Sequence, residues 1–184
     1  EYNGGNSDYG YNATAIVINA DGKDIGNINI LNTKVHNLGG DTTMYVCGIW
    51  TESWSANMIS DCLFEGNEVA DYCAHGLNHY SHGKLRNITW RNNIVKNHYA
   101  GGRFGANSAL QITSGGSGNL FEHNYLEDTT GSEGIIFAFT KYSDDDGVNT
   151  IRFNVLKGSP AYGISFWRDH SGYKIMYDVY GNII

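Results

Sequence analysis

The sequence has a single proline, a charged fraction of only 17% and no long apolar run. A helical bundle would be richer in Ala, Leu, Glu and Lys, so the thin charge and the weak helix formers argue against one. A membrane helix needs about 18 or more consecutive apolar residues, which this chain lacks. Basic residues are also scarce, with 12 Lys and Arg against 19 Asp and Glu and a formal charge of −7. Phosphate backbones are bound by clustered Lys and Arg, so a nucleic-acid partner is excluded as an expectation. No secretory signal pattern opens the sequence, and the three cysteines, Cys47, Cys62 and Cys73, form no C-x-x-C metal or redox pair. They read as small core residues, with one disulfide plus one leftover thiol as the alternative.

What the chain does have is 24 glycines, abundant asparagine and 13 tyrosines. Gly and Asn adopt positive φ at the least steric cost, and aromatics suit a pleated surface. The composition therefore predicts many short strands joined by tight turns. At 184 residues one domain spanning 1–184 is the expectation. Because the chain starts at Glu1-Tyr-Asn-Gly-Gly and stops inside the strand-like Gly-Asn-Ile-Ile184, that domain reads as a piece of a longer protein. The sequons Asn12-Ala-Thr14 and Asn87-Ile-Thr89 are of a kind that arises by chance in such a composition.

An internal repeat organises the rest. NINILNTKVHN ending at Asn37, NMISDCLFEGN ending at Asn67 and NITWRNNIVKN ending at Asn97 are three copies of one pattern, followed by NLFEHNYLEDT, TIRFNVLKGS and KIMYDVYGNII. Their central polar positions are Asn32, Cys62, Asn92, Asn124, Asn154 and Asp178. Between the copies runs a second echo that starts at a small residue: Gly48, Gly76, Ala109, Gly134 and Gly163. A period near 30 residues made of strands and turns is too short for a propeller blade and lacks the leucine spacing of a leucine-rich repeat. It fits a parallel β-helix of about six rungs, each with two or three strands, in which equivalent residues stack at about 4.8 Å. Asn92, Asn124 and Asn154 are expected to form a side-chain ladder, interrupted by Cys62 and Asp178. The copies disagree by one residue in their apolar alternation, so Trp90 is either core or surface.

The pattern N-I-x-φ-x-N-x-φ-x-x-N, as in Asn87 to Asn97, resembles the repeat of right-handed parallel β-helix proteins of the pectate-lyase-like superfamily. It bears a looser resemblance to archaeal disaggregatase-associated β-helix domains. The first resemblance implies an all-β solenoid and a polysaccharide partner, with lyase or hydrolase activity in some members. Calcium-dependent β-helix lyases of the alginate and chondroitin type resemble the chain around Lys84 to Leu126, but Gln111 stands where their catalytic arginine is expected. That departure breaks the carry-over of their mechanism.

A β-helix fills its interior with side chains, so chemistry belongs on an outer face. Counting from each small residue points Trp50 and Glu52, Asn78 and Tyr80, Gln111 and Thr113, Ile136 and Ala138, and Ser165 and Trp167 outward, with Ile49, Leu77, Leu110, Ile135 and Ile164 inward. Aromatic rings beside amides and carboxylates suit sugars, which offer an apolar ring face and a rim of hydroxyls. The competing reading is that Trp50 and Trp167 simply pack under loops. The richest cluster runs from His75 to Lys84. A uronic-acid lyase needs a base for the C5 proton and a group to neutralise the carboxylate; His79, Tyr80, His82 and Lys84, with Arg103, are the candidate set. A hydrolase would instead need two carboxylates, for which Glu52, Glu133 and Asp169 are available without an obvious pairing. A solvated loop explains the same histidines. Asp144, Asp145 and Asp146 suit either an ordinary turn or a Ca²⁺ ligand set. Arg168, Asp169 and His170 complete the substrate-binding candidates at the end of the Trp167 strand.

The sequence-based expectation is therefore a secreted or cell-surface β-helix that binds, and in an enzyme would cleave, a polysaccharide. The rival is a non-catalytic structural or adhesive solenoid. Either requires neighbouring domains or subunits to cover the open ends.

Overall fold

The computed structural model describes residues 12–20, 22–38, 45–53, 57–72, 74–81, 84–98, 108–113, 116–128, 134–140, 147–158, 162–168 and 176–184. Among these there is no helix, and the strands pair in parallel to form four sheets. Sheet A stacks Asn12–Asn19, Tyr45–Ser53, His75–Ser81, Ser108–Thr113, Ile136–Thr140 and Ile164–Arg168. Sheet B holds Ile25–Gly26, Met58–Ser60, Lys84–Arg86 and Gly116–Ser117. Sheet C holds Asn29–Leu31, Leu63–Glu65, Thr89–Arg91, Leu120–Glu122, Val148–Arg152 and Met176–Tyr180, and sheet D holds Lys34–Val35, Glu68–Tyr72, Ile94–His98, Tyr125–Asp128 and Val155–Gly158. The chain visits A, B, C and D in order and repeats, which makes a parallel β-solenoid.

The six expected rungs resolve into four full turns, a fifth with strands in A, C and D, and a sixth with strands in A and C. Each full turn holds four strands rather than two or three. The eleven-residue copy is itself two short strands, such as Thr89–Arg91 and Ile94–His98, on either side of a corner.

Inward columns make the core. Ile49, Leu77, Leu110 and Ile136 stack in sheet A, and Val69, Val95, Leu126 and Leu156 in sheet D. In sheet C the column is Ile30, Phe64, Trp90, Phe121, Ile151 and Val179. Trp90 is thus core, fully buried and stacked on Phe64 with centroids 3.8 Å apart and planes 7° apart. A Cβ at Gly48 or Gly76 would collide with the Val69 or Val95 side chain, so these small residues let sheet A close onto sheet D. One expectation is corrected by the pairing of Ile136 with Leu110: Ile136 and Ala138 join the core, and Phe137 takes the outward position. The fifth copy begins one residue later than its glycine suggests, and a slip of one exchanges the two faces.

The corners explain paired asparagines such as Asn92-Asn93. Asn32, Gly66, Asn92, His123, Phe153 and Gly181 occupy successive turns of one corner with φ between 51° and 67°. Next to this left-handed column runs the ladder. Asn67, Asn93, Asn124 and Asn154 each donate Nδ2 to Oδ1 of the following member, ending on Asn182, at 2.9 to 3.0 Å. The same Oδ1 atoms accept the preceding backbone N–H, and each Nδ2 also donates to a carbonyl of the previous turn. The expected ladder of Asn92, Asn124 and Asn154 is therefore corrected to Asn93 in the first place. Cys62 and Asp178 belong to other columns: Cys62 lies at the B–C corner and Asp178 stacks on Thr150. A second, shorter ladder joins Asn119 and Asn149 at that B–C corner.

Outward on sheet C, Glu65, Arg91, Glu122 and Arg152 alternate in charge up one column. Arg91 bonds Glu65 at 2.9 Å and Arg152 bonds Glu122 at 2.7 Å. Sheet D carries Lys34, Lys96, Lys157, Glu68 and Glu127 in similar pairs. These are solvated pairs of modest worth that settle register more than stability.

Candidate functional site

Sheet A faces outward with three rows set by its register. The first is Cys47, His75 and Ser108; the second is Val17, Trp50, Asn78, Gln111, Phe137 and Ser165; the third is Asn19, Glu52, Tyr80, Thr113 and, two strands further on, Trp167. Cys47, Trp50 and Ala74 with Val17 and Tyr80 form an apolar group separate from the main core, as expected for the opposite face of the sheet.

Five sequence-nominated residues come together here. The Trp50 and Tyr80 rings meet edge to face at 6.3 Å. Asn19 donates to Glu52 at 2.6 Å, and Asn78 donates to the Cys47 sulfur at 3.8 Å. Gln111 adjoins His75. The face is not an open plain: Trp50, Glu52, Asn78 and Gln111 are buried, Tyr80 is partly exposed, and Trp167 is 55% exposed. Trp167 also touches the edge of Phe137, with centroids 6.0 Å apart. It lies three turns up the column from Tyr80, about 14 Å at the usual strand spacing.

His79 is not on this face. It points inward between Thr51 and Ile112 in the sheet register, fully buried, with its ring edge-on to Phe121 at 5.4 Å and to Trp90 at 6.3 Å. Trp90 Nε1 donates to its Nδ1 at 3.2 Å. Burial pushes its pKa down to about 3, so it is a neutral core imidazole. Lys84 opens a sheet B strand opposite Met58, and Arg168 ends the last sheet A strand, but their side chains lie outside the described residues, as do all of His82, Arg103, Asp144, Asp145, Asp146, Asp169 and His170. Among the described residues no group of three or more His, Cys, Asp or Glu converges as a metal would require. Cys47 and Cys62 are buried, as core residues should be, and Cys73 lies outside the described residues.

A polar cluster that the sequence signalled only at His75 sits where sheet D hands over to sheet A. His98 and Asp128, at the ends of consecutive sheet D strands, bond at 3.0 Å with both side chains fully buried. The Tyr72 ring stacks on His98 at 4.8 Å. At the start of sheet A, His75 Nδ1 and Ser108 Oγ lie 2.8 Å apart. Burial, reinforced by nearby His98, pushes the His75 pKa down to about 3; Ser108, Asp128 and Gln111 oppose the shift. Burial and the Asp128 charge raise the Tyr72 phenol well above its ordinary value. His75 and Tyr72 are therefore both neutral at physiological pH. The signal for this cluster was present in the repeat: His98 and Asp128 lie 30 residues apart, one period.

No family model, curated protein or solved structure matches the chain. Also, no helix among the described residues is long and apolar enough to cross a membrane.

Proposed function

We propose that this chain is a carbohydrate-binding β-helix domain of the cell exterior, akin to the pectate-lyase-like superfamily, that engages a polysaccharide along the outward face of sheet A. The observation that carries the reading is the loss of repetition on that face. The sheet C column Glu65, Arg91, Glu122 and Arg152 stacks charges of opposite sign, which serves the solenoid. On sheet A, Trp50, Asn78, Gln111, Phe137 and Ser165 follow one another in a single column with no two alike. Stacking of identical or complementary groups is what a solenoid gains from repetition, and a column that forgoes it serves something else. Trp167 offers an exposed indole, and Tyr80 a partly exposed ring, to the apolar face of a sugar.

Cleavage extends this reading to the residues that follow Tyr80 in sequence, where His82 and Lys84 would supply acid–base groups. A panel of uronic-acid and neutral polysaccharides tests both parts. Binding to at least one, weakened tenfold or more by Trp167→Ala, is expected. Release of unsaturated products or reducing ends from that polysaccharide would assign lyase or hydrolase activity. A repeat of the binding assay with Ca²⁺ and with chelator tests Asp144 to Asp146. Failure to bind any member of the panel would reject the reading.

A further inference from the structure

We infer that Asn78 Oδ1 and Thr113 Oγ1 are the atoms that read a sugar's hydroxyls on sheet A, and that the subsite they form takes a neutral sugar unit rather than a uronate. The inference rests on the glycan-binding reading and narrows its substrate class.

Asn78 departs from every other buried asparagine among the described residues. Asn67, Asn93, Asn119, Asn124, Asn149 and Asn154 each donate Nδ2 to a carbonyl and offer Oδ1 to a backbone N–H. Asn78 gives Nδ2 to the Cys47 sulfur at 3.8 Å, but its shielded Oδ1 accepts nothing from the described residues. Thr113 is a similar exception among buried hydroxyls. Thr51 bonds Asn78 O, Ser53 bonds Asn57 O and Ser108 meets His75, whereas Thr113 Oγ1 has no partner among the described residues. A buried polar atom left unpaired loses its hydration with no bond in return, so folds keep few of them. Two on one face, in a chain that pairs its other amides so strictly, point to a partner from outside the fold.

Register brings the two together. Asn78 pairs with Gln111 and Tyr80 with Thr113, so Asn78 and Thr113 are diagonal corners of a four-residue patch, about 8 Å apart by strand spacing and rise. One sugar ring with hydroxyls on opposite edges bridges such a diagonal. Tyr80, at a third corner, is partly exposed and borders both atoms. Its side chain turns aside to admit the sugar and then offers its ring to the apolar face. The open atoms set the class. An amide oxygen only accepts, so Asn78 bonds an O–H and repels a carboxylate, while the Thr113 hydroxyl completes the pair as donor or acceptor. Glu52, beside Tyr80 on the neighbouring strand, disfavours a ligand carboxylate in the same sense.

The test compares the parent chain with Thr113→Val, which keeps the shape without the hydroxyl, with Thr113→Ser, which keeps the hydroxyl, and with Asn78→Ala. Affinities for a glucan, a galactan and a mannan are set against those for polygalacturonate and alginate, with urea unfolding alongside. The parent should bind a neutral polysaccharide about tenfold or more tightly than either uronic-acid one. Thr113→Val should be as stable as the parent or more so, yet bind that polysaccharide about tenfold more weakly, as should Asn78→Ala, while Thr113→Ser binds like the parent. Preference for a uronic-acid polysaccharide, or unchanged binding by Thr113→Val, would overturn the inference and leave the glycan reading standing. A loss of stability in Thr113→Val would overturn it too, because the hydroxyl would then serve the fold. If the parent binds none of these polysaccharides, the glycan reading itself falls and this inference falls with it.

Discussion

Asn93 donates its side-chain amide to Oδ1 of Asn124 at 2.9 Å, while its neighbour Asn92 makes the turn with φ of 56°. Two adjacent residues of one type thus have separate duties, and they should answer differently to substitution. Asn124 takes part in five hydrogen bonds of this ladder: it accepts from Asn93 N and Nδ2, gives Nδ2 to Trp90 O and Asn154 Oδ1, and gives its own N–H to Asn154. Asn124→Ala strands several buried partners, each costing about 1 to 3 kcal/mol, so a loss of at least about 3 kcal/mol in urea unfolding is expected. Asn92→Gly should be nearly neutral and Asn92→Ala should cost about 1 kcal/mol, the left-handed penalty. Equal effects at the two positions would contradict the division.

Phe153 breaks the rule of its own column. Asn32, Gly66, Asn92 and Gly181 are residues that tolerate positive φ, whereas Phe153 holds φ of 55° with a bulky ring that is 43% exposed. The ring stacks on His123 at 5.4 Å and lies where a Cβ on residue 181 would be. Strain of about 1 kcal/mol or more is therefore only partly offset by contacts. Phe153→Asn should raise stability by a few tenths to about 1 kcal/mol. Gly181→Ala should be strongly destabilising alone and much less so when combined with Phe153→Asn, a coupling that a double-mutant cycle reads directly.

Burial holds both His75 and His79 near a pKa of 3, against an ordinary value of 6.5. Between these values the unfolded chain binds protons that the folded chain refuses, so stability rises with pH across the window and is fully present above about 6.5. Each histidine contributes a slope of up to about 1.4 kcal/mol per pH unit there. Denaturation midpoints taken from pH 7 down to pH 4 should fall accordingly, and His79→Leu should flatten the decline by about half. That variant also orphans Trp90 Nε1, so its stability at pH 7 should drop even as its acid sensitivity improves.

These cases show what the sequence disclosed and what it withheld. The period near 30 and the Asn-rich corners announced the solenoid, because stacking demands that equivalent positions keep their character. The copy alignment failed by a residue at Asn92 and again at Gly134, since two adjacent asparagines, or Gly-Ile-Ile, fit either register by type. Only pairing with neighbouring turns decides which is inward. The outward set Trp50, Glu52, Asn78, Tyr80 and Gln111 was legible from alternation beyond a small residue. The same alternation should have removed His79, which lies at an odd step from Asn78 and Tyr80. Tyr72, His98 and Asp128 escaped because each follows a different local motif, and only their spacing by a period links them.

The buried pair of His98 and Asp128 sets the last expectation. Both side chains are wholly shielded from water, and their bond at 3.0 Å joins consecutive turns just before the sheet A face begins. Taking away one member of such a pair removes a buried hydrogen bond from the other in a medium of low polarity, at a cost of about 1 to 3 kcal/mol. Asp128→Ala should therefore rank among the most damaging changes in the domain, and Asp128→Asn, which keeps the shape and a hydrogen-bonding oxygen, should cost clearly less. Tyr72 gives the contrasting control. Its ring stacks on His98, but its buried hydroxyl has no hydrogen-bond partner among the described residues, so the ring stabilises while the oxygen is a desolvation cost. Tyr72→Phe should leave stability unchanged or raise it by up to about 1 kcal/mol. Urea unfolding of the three variants separates these outcomes, and a marked loss in Tyr72→Phe would mean that the hydroxyl is bonded through a water within the corner.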